Sequence, residues 1–188
     1  MTTIGFIGLG NMGLPMCQRL AAGNAEVVAF DLRAEAVDAA VAAGAVAAGS
    51  AAECAERADL LLTSLPRPDH VEAVMVAAGA LAALRPGSMW VDLTTNRREL
   101  VERLAAEAPA GVSVVDAPVT GAVDGARNGR LIRFVGGESA VLYRGQPVLV
   151  SPGLVIRCGP RGAGMAVSLV TDPLWFIHAA AAGEGFAP

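Results

Sequence analysis

Short apolar runs rich in β-branched residues alternate along this chain with alanine-rich segments of helical length. Continuous apolar runs are typical of strands that helices cover on both faces. Their alternation with helical segments is typical of βαβ units around a parallel sheet. The predicted strands are Thr3–Ile7, Glu26–Phe30, Leu60–Ser64, Met89–Leu93, Ser113–Ala117, Leu131–Val135 and Leu154–Arg157.

The segments between these strands have helical patterns and mostly end at glycine or proline, which are common helix stop signals. Together with the strands they predict an α/β fold with a doubly wound, mostly parallel sheet. The predicted helices are Met12–Ala22, Ala34–Ala43, Ala51–Arg57, Asp69–Leu84 and Arg97–Glu107.

The last segment, Ala163–Pro188, is apolar and helical in composition, and no further strand follows it. Proline is well tolerated in the first turn of a helix and disruptive in its interior. The sequence Thr171-Asp172-Pro173 therefore predicts a helix start, with Asp172 as its N-cap and Ser168 before the break. We expect one α/β domain over residues 1–161 and the start of a C-terminal helical segment over residues 162–188.

The composition is that of a globular protein: 188 residues, 54% of them hydrophobic, with a mean hydropathy of +0.51. The longest strongly apolar runs, such as Ala73–Leu84, are shorter than the roughly 20 residues that a spanning helix needs, so we expect no membrane association. The N-terminal stretch lacks the basic region of a signal peptide and is interrupted by glycines. We therefore expect a cytoplasmic protein.

Charge and cysteine content exclude several classes of partner. The net charge is −4, with acids and bases interspersed, so we expect no nucleic-acid binding. Cys17, Cys54 and Cys158 are widely spaced, so neither a disulfide framework nor a metal site is predicted. We expect all three to be small buried hydrophobic residues.

A glycine motif follows the first predicted strand directly and opens the first predicted helix. In this context the first glycine permits a tight turn, the second lets backbone N–H groups approach a pyrophosphate, and the third allows close helix packing. The helix N-terminus then faces the anion. This motif makes the predicted fold Rossmann-type, with candidate cofactor-binding residues Gly8, Leu9, Gly10, Asn11, Met12 and Gly13.

Asp31 ends the second predicted strand, at about the distance where an acid binds the hydroxyls of an adenine ribose. A 2′-phosphate would be repelled there, so Asp31 favours NAD over NADP. Arg33 would offset that repulsion only by folding back over the ribose, and we expect it instead to be a solvated residue at a helix start.

Several motifs resemble those of the β-hydroxyacid dehydrogenases, the group of 3-hydroxyisobutyrate dehydrogenases and tartronate semialdehyde reductases related to 6-phosphogluconate dehydrogenase. The resemblance covers essentially the whole chain. The matching strings are Gly5 to Gly13, Leu65-Pro66, Asp92-Leu93-Thr94-Thr95, Asp116-Ala117-Pro118-Val119-Thr120-Gly121-Ala122, Val135-Gly136-Gly137 and Gly162-Ala163-Gly164.

The resemblance implies roles for residues beyond the glycine motif. Leu65, Pro66 and Thr95 would lie along the cofactor toward the nicotinamide. A small substrate, expected to be a carboxylate, would be held by Thr120, Gly121 and Ala122, where the family has a second glycine in place of Ala122. In the family a helical domain follows and closes the cleft, commonly with a partner subunit, so we expect a homo-oligomer formed through the apolar C-terminal helix.

The family also carries a catalytic lysine, with an asparagine four residues later. Aligned on Gly162-Ala163-Gly164, these positions are Ser168 and Asp172, and the chain contains no lysine at all. A serine hydroxyl titrates far too high to replace the lysine as an acid or base, which is expected to impair catalysis. On a continuous helix Asp172 lies one turn away on the same face and would act as the base if burial raised its pKa. His70, after Pro68-Asp69 at a helix start, is expected at the surface.

Three hypotheses for function follow. The first is an NAD(P)-dependent oxidoreductase that transfers hydride between nicotinamide and a small 3-hydroxyacid-like substrate, with chemistry limited by Ser168. The second is a non-catalytic NAD(P)-binding module. The third is an enzyme like the imine reductases, which resemble this family and lack its lysine; Asp172 would suit a neutral or cationic substrate.

Overall fold

The computed structural model describes residues 2–141 and 153–186, so residues 1, 142–152, 187 and 188 of the two predicted domains lie outside it. Strands and helices alternate as the sequence predicts. The strands are β1 (Thr3–Ile7), β2 (Glu26–Phe30), β3 (Val46–Ala47), β4 (Leu60–Thr63), β5 (Met89–Asp92), β6 (Ser113–Asp116), β7 (Val119–Thr120), β8 (Leu131–Gly136) and β9 (Gly153–Gly159). The helices are α1 (Gly13–Ala21), α2 (Ala34–Val41), α3 (Ala51–Arg57), α4 (Pro68–Glu72), α5 (Ala80–Ala83), α6 (Arg98–Glu107), α7 (Ala122–Asn128) and α8 (Ala163–Gly185).

Within the described residues the strands form one sheet in the order β3-β2-β1-β4-β5-β6-β8-β7, with β9 also paired to β8. The run from β3 to β6 is parallel, whereas β8 is antiparallel to β6 and β7. The chain therefore leaves β1 first toward β2 and later toward β4. The crevice at the carboxyl ends of such strands is where doubly wound folds bind ligands. The predicted fold class is confirmed.

Helices cover both faces of the sheet. Because successive residues of a strand point to opposite faces, side chains of both sets are buried. In β4, Leu60 and Leu62 pack with α1 and α2 on one face, and Leu61 packs on the other. In β5, Trp90 is fully buried on the second face with residues of α3, α5 and α6. The continuous apolar runs of the sequence follow from this double coverage.

Two short strands and one interrupted helix differ from the sequence prediction. β3 and β7 contain two residues each, too few to produce a hydrophobic period. The helix predicted over Asp69–Leu84 is divided into α4, a π-helical turn (Ala73–Ala77) and α5. Gly79 adopts φ +74° between the turn and α5, a left-handed conformation that ends the first helical stretch.

The predicted helix start at Pro173 is wrong, because α8 runs without interruption through Pro173. Proline removes one helical hydrogen bond and crowds the preceding turn. Just before it, the Thr171 hydroxyl donates to the carbonyl oxygens of Val167 at 3.0 Å and of Ser168 at 3.1 Å. Hydroxyl bonds of this kind often accompany a bend in a helix. Asp172 is therefore an interior residue of α8, one turn after Ser168.

Only the first part of α8 packs on the sheet. Gly164, Met165 and Ser168 are its buried residues, and residues 173–186 are exposed. By length and composition alone, α8 is long and apolar enough to cross a membrane. Only 11% of its apolar stretch is buried in the structure. From the sequence we expect no membrane association, because the uninterrupted apolar runs are short. That expectation does not cover α8, whose 23 residues include a few polar ones and are still apolar on average.

The cysteines are only in part what the sequence predicted. Cys17 and Cys54 are fully buried, and burial raises the pKa of each thiol to about 12, so neither is available as a reactive thiolate. Cys158 in β9 is only partly buried, contrary to the prediction. The described residues include no cluster of three or more metal-ligating side chains.

Candidate functional site

The turn between β1 and α1 depends on two close backbone approaches. Gly8 has φ +95°, a conformation that side chains disfavour, and a Cβ atom there would overlap the Ser64 carbonyl oxygen after β4. A Cβ atom on Gly13 would overlap the carbonyl oxygen of Gly8. Glycine at both positions therefore lets the first turn of α1 sit directly against the end of β1.

This turn leaves open space at its centre. A Cβ atom on Gly10 would have no neighbour within 4 Å, in contrast to the tight surroundings of Gly8 and Gly13. The Leu14 N–H donates to the Gly10 carbonyl at 3.0 Å, so α1 starts from this point. The first N–H groups of a helix have no partner within it and form a ready anion site. The geometry fits a pyrophosphate at Gly10.

Asp31 is attached to the glycine turn by a short hydrogen bond. Its Oδ2 atom accepts the Leu9 N–H at 2.6 Å, and its side chain is 13% exposed. Leu9 itself is buried in the core, so its contribution to the site is through the backbone. The turn after β1 and the acid after β2 are thereby fixed relative to each other.

Arg33 is the exposed residue at the start of α2, as the sequence predicts, but its side chain also folds back toward Asp31 and the glycine turn. Its Nε donates to Asp31 Oδ1 at 3.2 Å, and its guanidinium also donates to the Leu9 carbonyl at 2.9 Å. The backbone N–H of Arg33 donates to the same Asp31 oxygen at 2.9 Å. Arg33 therefore lies across the acid that was predicted to bind ribose.

These groups line one end of a cleft of about 810 Å³. Its other end is formed by the loop after β7, and the loops after β4 and β5 form the wall between them. A cleft of this size is in the range of small-molecule and cofactor sites. Of the predicted site residues it brings together Gly8, Gly10, Asn11, Met12, Gly13, Asp31, Leu65, Pro66, Thr95, Thr120, Gly121 and Ala122.

A buried carboxylate, Asp92, fixes the wall between the two ends. It accepts the Thr63 hydroxyl at 2.9 Å and the Asn96 side-chain amide at 2.8 Å, and burial raises its pKa despite these bonds. The adjacent Thr94 hydroxyl accepts the Leu65 N–H at 3.0 Å. The loop carrying Leu65 and Pro66 is therefore attached to the end of β5. The sequence motif contained these residues but did not indicate their partners.

The loop proposed for the substrate is strained at one residue. Thr120 ends β7, and Gly121 (φ +123°) and Ala122 (φ +52°) lead into α7. Among the described residues, Ala122 is the one non-glycine with a positive φ. An L-residue with a side chain pays about 1–2 kcal/mol to adopt a left-handed conformation. This is the position where the resembling family has glycine, so the departure has a physical cost.

Ser168 and Asp172 come together on α8 and not in the cleft. Ser168 is fully buried, and its hydroxyl contacts Asp172 Oδ2 at 3.3 Å, as expected for residues one turn apart. Neither residue is among those lining the cleft. The two positions therefore share one face of α8, as expected for a helix that continues through Pro173.

A second buried carboxylate, Asp116, attaches α8 to the sheet. Its Oδ1 accepts the Gly162 N–H at 2.7 Å, and its Oδ2 accepts the Met165 N–H at 2.8 Å. Burial raises its pKa, and these N–H groups partly counter the effect by stabilising the charged form. A Cβ atom on Gly164 would lie 2.8 Å from Asp116 Oδ2, so glycine makes room for the carboxylate.

His70 is a site residue that sequence reasoning placed wrongly at the surface. It lines the cleft with Ala73 and Val74 of the π-helical turn. Its Nδ1 atom is buried without a hydrogen-bond partner, whereas Nε2 lies 3.5 Å from the Arg67 guanidinium. His70 lies in α4, before the left-handed Gly79 that divides the predicted helix.

The family described as "NAD binding domain of 6-phosphogluconate dehydrogenase" matches residues 3–159, which include the glycine turn, Asp31 and the cleft. This match covers most of the chain. The chain belongs to the β-hydroxyacid dehydrogenase family. The cofactor of this domain type is NAD or NADP.

Similar proteins align with most or all of the chain. A 3-hydroxyisobutyrate dehydrogenase of Pseudomonas aeruginosa is 37% identical over 100% of this chain and 64% of its own length. The structure of Mycobacterium tuberculosis 3-hydroxyisobutyrate dehydrogenase with L-serine has a TM-score of 0.92 and 36% identity, covering 99% of this chain and 64% of that one. Psf3 in complex with NADP+ has a TM-score of 0.81 and 28% identity, covering 89% of this chain and 61% of that one. The chain thus spans about 64% of the length of the first two relatives.

Alanine substitutions at Gly13 and Gly10 separate folding from cofactor binding. Gly13→Ala forces a Cβ atom into the Gly8 carbonyl and is expected to cost about 1–3 kcal/mol, or roughly 2–12 °C in the thermal midpoint. Gly10→Ala meets open space, so its midpoint stays near that of the unchanged protein while NADH affinity falls about tenfold or more, because the methyl group occupies the anion site. Thermal unfolding and NADH fluorescence titration measure the two effects. A destabilised Gly10→Ala with unchanged affinity would contradict this assignment.

Ala122→Gly is expected to stabilise the protein by about 1 kcal/mol, or roughly 2–4 °C, because glycine adopts the left-handed conformation without strain. Ala106→Gly, at an exposed position in α6, is the matched control and should destabilise by up to about 1 kcal/mol. Thermal unfolding of both variants gives the signs. Equal destabilisation by both substitutions would mean that Ala122 is not strained.

Proposed function

We propose that the protein containing this chain is an NAD(P)-dependent oxidoreductase acting on a small 3-hydroxyacid-like substrate. The observation that supports this most is that one cleft joins the glycine turn and Asp31 at one end to Thr120, Gly121 and Ala122 at the other. A dinucleotide needs such an extended site, because its adenine ribose and its reacting nicotinamide ring lie far apart.

The adenosine end of the cleft supports a preference for NAD. Asp31 presents a carboxylate beside the glycine turn, where ribose hydroxyls donate hydrogen bonds to it. The first turn of α1 presents N–H groups and the positive end of its dipole, which suit the pyrophosphate. These residues hold the cofactor by backbone and carboxylate contacts, with no requirement for lysine.

The opposite end of the cleft supports a carboxylate substrate. The Thr120 hydroxyl and the backbone N–H groups of the following turn form a concave site that suits an anion without a formal positive charge. Relatives named for 3-hydroxyisobutyrate, and one solved with L-serine, act on or bind small molecules that carry a carboxylate. That similarity supports the same chemical class here.

The bound nicotinamide would supply or accept the hydride, and the protein must then handle the hydroxyl proton. At the family's lysine position stands Ser168, whose hydroxyl titrates too high to exchange protons near neutral pH. Ser168 also already contacts Asp172. We therefore propose that this chain binds cofactor and orients substrate while proton transfer is slow.

Two further candidates rest on the same pair of residues. A non-catalytic NAD(P)-binding module is favoured by the burial of Ser168 and its contact with Asp172, since neither side chain lines the cleft. An imine-reductase-like activity is the other candidate; it needs the Asp172 carboxylate to face a cationic substrate, and the position of Asp172 outside the cleft lining does not favour it. Substrate range and the response to restored family residues distinguish the three functions.

Replacing Ser168→Lys together with Asp172→Asn restores the family's acid/base pair. General acid/base catalysis contributes about 10²–10⁴-fold, so turnover of small 3-hydroxyacids should rise by about that factor in a nicotinamide absorbance assay. Ser168→Ala is the control and should leave turnover unchanged, and NADH titration with thermal unfolding confirms that each variant is folded. Fast turnover by the unchanged chain would contradict the proposal. NADH binding without turnover in the restored variant would support the non-catalytic module, and turnover of cyclic imines alone would support the imine-reductase-like activity.

We also propose that α8 mediates self-association with a second copy of the chain. Trp175 and Phe176 are 66% and 67% exposed and lie edge to face with ring centroids 5.0 Å apart. Exposed apolar patches of this kind mark interaction sites. A protein partner suits α8 better than a membrane, because the 3-hydroxyisobutyrate dehydrogenase structure aligns with 99% of the chain.

The double substitution Trp175→Ser and Phe176→Ser should convert the oligomer to a monomer, because it removes the largest exposed apolar side chains of α8. Sedimentation equilibrium measures the mass. Val76→Ser, at a 47% exposed position in the π-helical turn, is the control and should leave the mass unchanged. A monomeric unchanged protein, or one that pellets with neutral lipid vesicles, would contradict self-association.

A further inference from the structure

The loop after β5 turns one residue, Thr95, outward from an otherwise buried segment. Every residue from Met89 to Asn96 is buried except Thr95, which is exposed and lines the cleft. The residues on either side of it, Thr94 and Asn96, are only 3% and 1% exposed. Both of these neighbours bind the same carboxylate, that of Asp92. The exposure of Thr95 therefore has a local structural cause.

Asp92 holds the two neighbours of Thr95 with its two oxygens. Oδ1 accepts the Thr94 N–H at 3.1 Å, and Oδ2 accepts the Asn96 side-chain amide at 2.8 Å. The side-chain oxygen of Asn96 in turn accepts the Arg97 N–H at 2.7 Å, just before α6. Thr95 is thus held at the cleft by hydrogen bonds that its own side chain does not make.

The same carboxylate also holds the loop after β4. The Thr94 hydroxyl accepts the Leu65 N–H at 3.0 Å and also hydrogen-bonds to Asp92. On the other side, the Thr63 hydroxyl accepts the Trp90 indole N–H at 2.9 Å and donates to Asp92 at 2.9 Å. Because a hydroxyl has one proton to donate, both hydroxyls direct it at the carboxylate. Asp92 is the acceptor in every one of these bonds.

The loops that Asp92 holds lie away from the adenosine end of the cleft. The sheet order β2-β1-β4-β5 places the end of β5 three strand spacings from the end of β2, or about 14 Å at roughly 4.8 Å per spacing. Asp31 follows β2, and the glycine turn follows β1. A dinucleotide with its adenine ribose at Asp31 and its pyrophosphate at α1 would therefore meet Thr95 with its nicotinamide half.

We propose that Asp92 is a positioning residue for the nicotinamide half of the cofactor. Asp92 is fully buried and does not line the cleft itself. It acts through Thr95 and through the loop of Leu65 and Pro66, which line the cleft and which its hydrogen bonds fix in place. The adenosine half binds at other strand ends and does not depend on Asp92. The inference rests on the proposed cofactor site but not on catalysis.

The two halves of the cofactor can be titrated separately, because ADP contains the adenosine and both phosphates and lacks the nicotinamide half. In Asp92→Asn an amide N–H replaces one acceptor oxygen and faces a donor, so the loop after β5 loses its fixed position. NADH should bind about tenfold more weakly, whereas the affinity for ADP should stay within about twofold of that of the unchanged chain. A structural role alone would weaken both ligands together.

Thr94→Val provides a second, milder variant. It keeps the shape of the side chain and the backbone bond to Asp92, but it removes the hydroxyl that joins Leu65 to the carboxylate. NADH should bind about threefold more weakly, with ADP binding unchanged. This variant decides the question if Asp92→Asn does not fold.

Thr95→Ala tests whether Asp92 acts through Thr95. Alone, it should weaken NADH binding about threefold. In the Thr95→Ala background, Asp92→Asn should have a smaller effect on NADH than in the unchanged chain, because residues that act through one another are not additive.

The matched control is Asp116→Asn. Asp116 is also a buried carboxylate, and it ends the neighbouring strand β6 in register with Asp92. Its hydrogen bonds go instead to the N–H groups of Gly162 and Met165 at α8. The substitution should lower the thermal midpoint and leave the ratio of NADH to ADP affinity unchanged.

Fluorescence titration with NADH and calorimetry with ADP give this ratio for each protein, and thermal unfolding shows that each is folded. Equal weakening of both ligands in Asp92→Asn and Thr94→Val would overturn the proposal, as would full additivity with Thr95→Ala or the same change of ratio in Asp116→Asn. If the unchanged chain binds neither ligand, the proposed cofactor site is wrong and this inference with it. Binding of NADH without turnover would count against the proposed catalysis alone.

Discussion

The close approach of α1 to the end of β1 is the constraint on which the candidate site depends. Gly13 packs against the Gly8 carbonyl, and Gly8 packs against the loop after β4, with no room for a side chain at either position. Both contacts place the N-terminus of α1 at the carboxyl edge of the sheet, directly beside Asp31. Cofactor recognition here is mainly a consequence of backbone geometry. The charges of the site are then added by one acid and one arginine.

Two other buried carboxylates extend this arrangement along the sheet. Asp92 and Asp116 end neighbouring parallel strands, and both have raised pKa values because burial disfavours their charge. Their partners are hydroxyl, amide and backbone N–H groups. Asp92 fixes the wall of the cleft, and Asp116 fixes the start of α8. The acids at three strand ends therefore position three parts of the fold. Asp31 fixes the cofactor turn, Asp92 the wall of the cleft and Asp116 the C-terminal helix.

Much of this was accessible from the sequence, because it follows from local rules. Strand and helix periods gave the fold, and glycine spacing followed by an acid after the second strand indicated the cofactor turn. Interactions between distant segments were not accessible. The partners of Asp116, the folded position of Arg33 and the approach of His70 to the cleft all depend on tertiary structure. The course of α8 through Pro173 was missed because proline locally favours a helix start, and the helix nevertheless continues through it.

The central claim is that Asp31 and the first turn of α1 bind the adenosine and pyrophosphate of a nicotinamide dinucleotide. A crystal structure of the protein soaked with NAD+ tests it most directly. The account predicts the pyrophosphate at Gly10 and a ribose hydroxyl about 2.7 Å from a carboxylate oxygen of Asp31. A dinucleotide bound elsewhere, or a ribose without contact to Asp31, would contradict it.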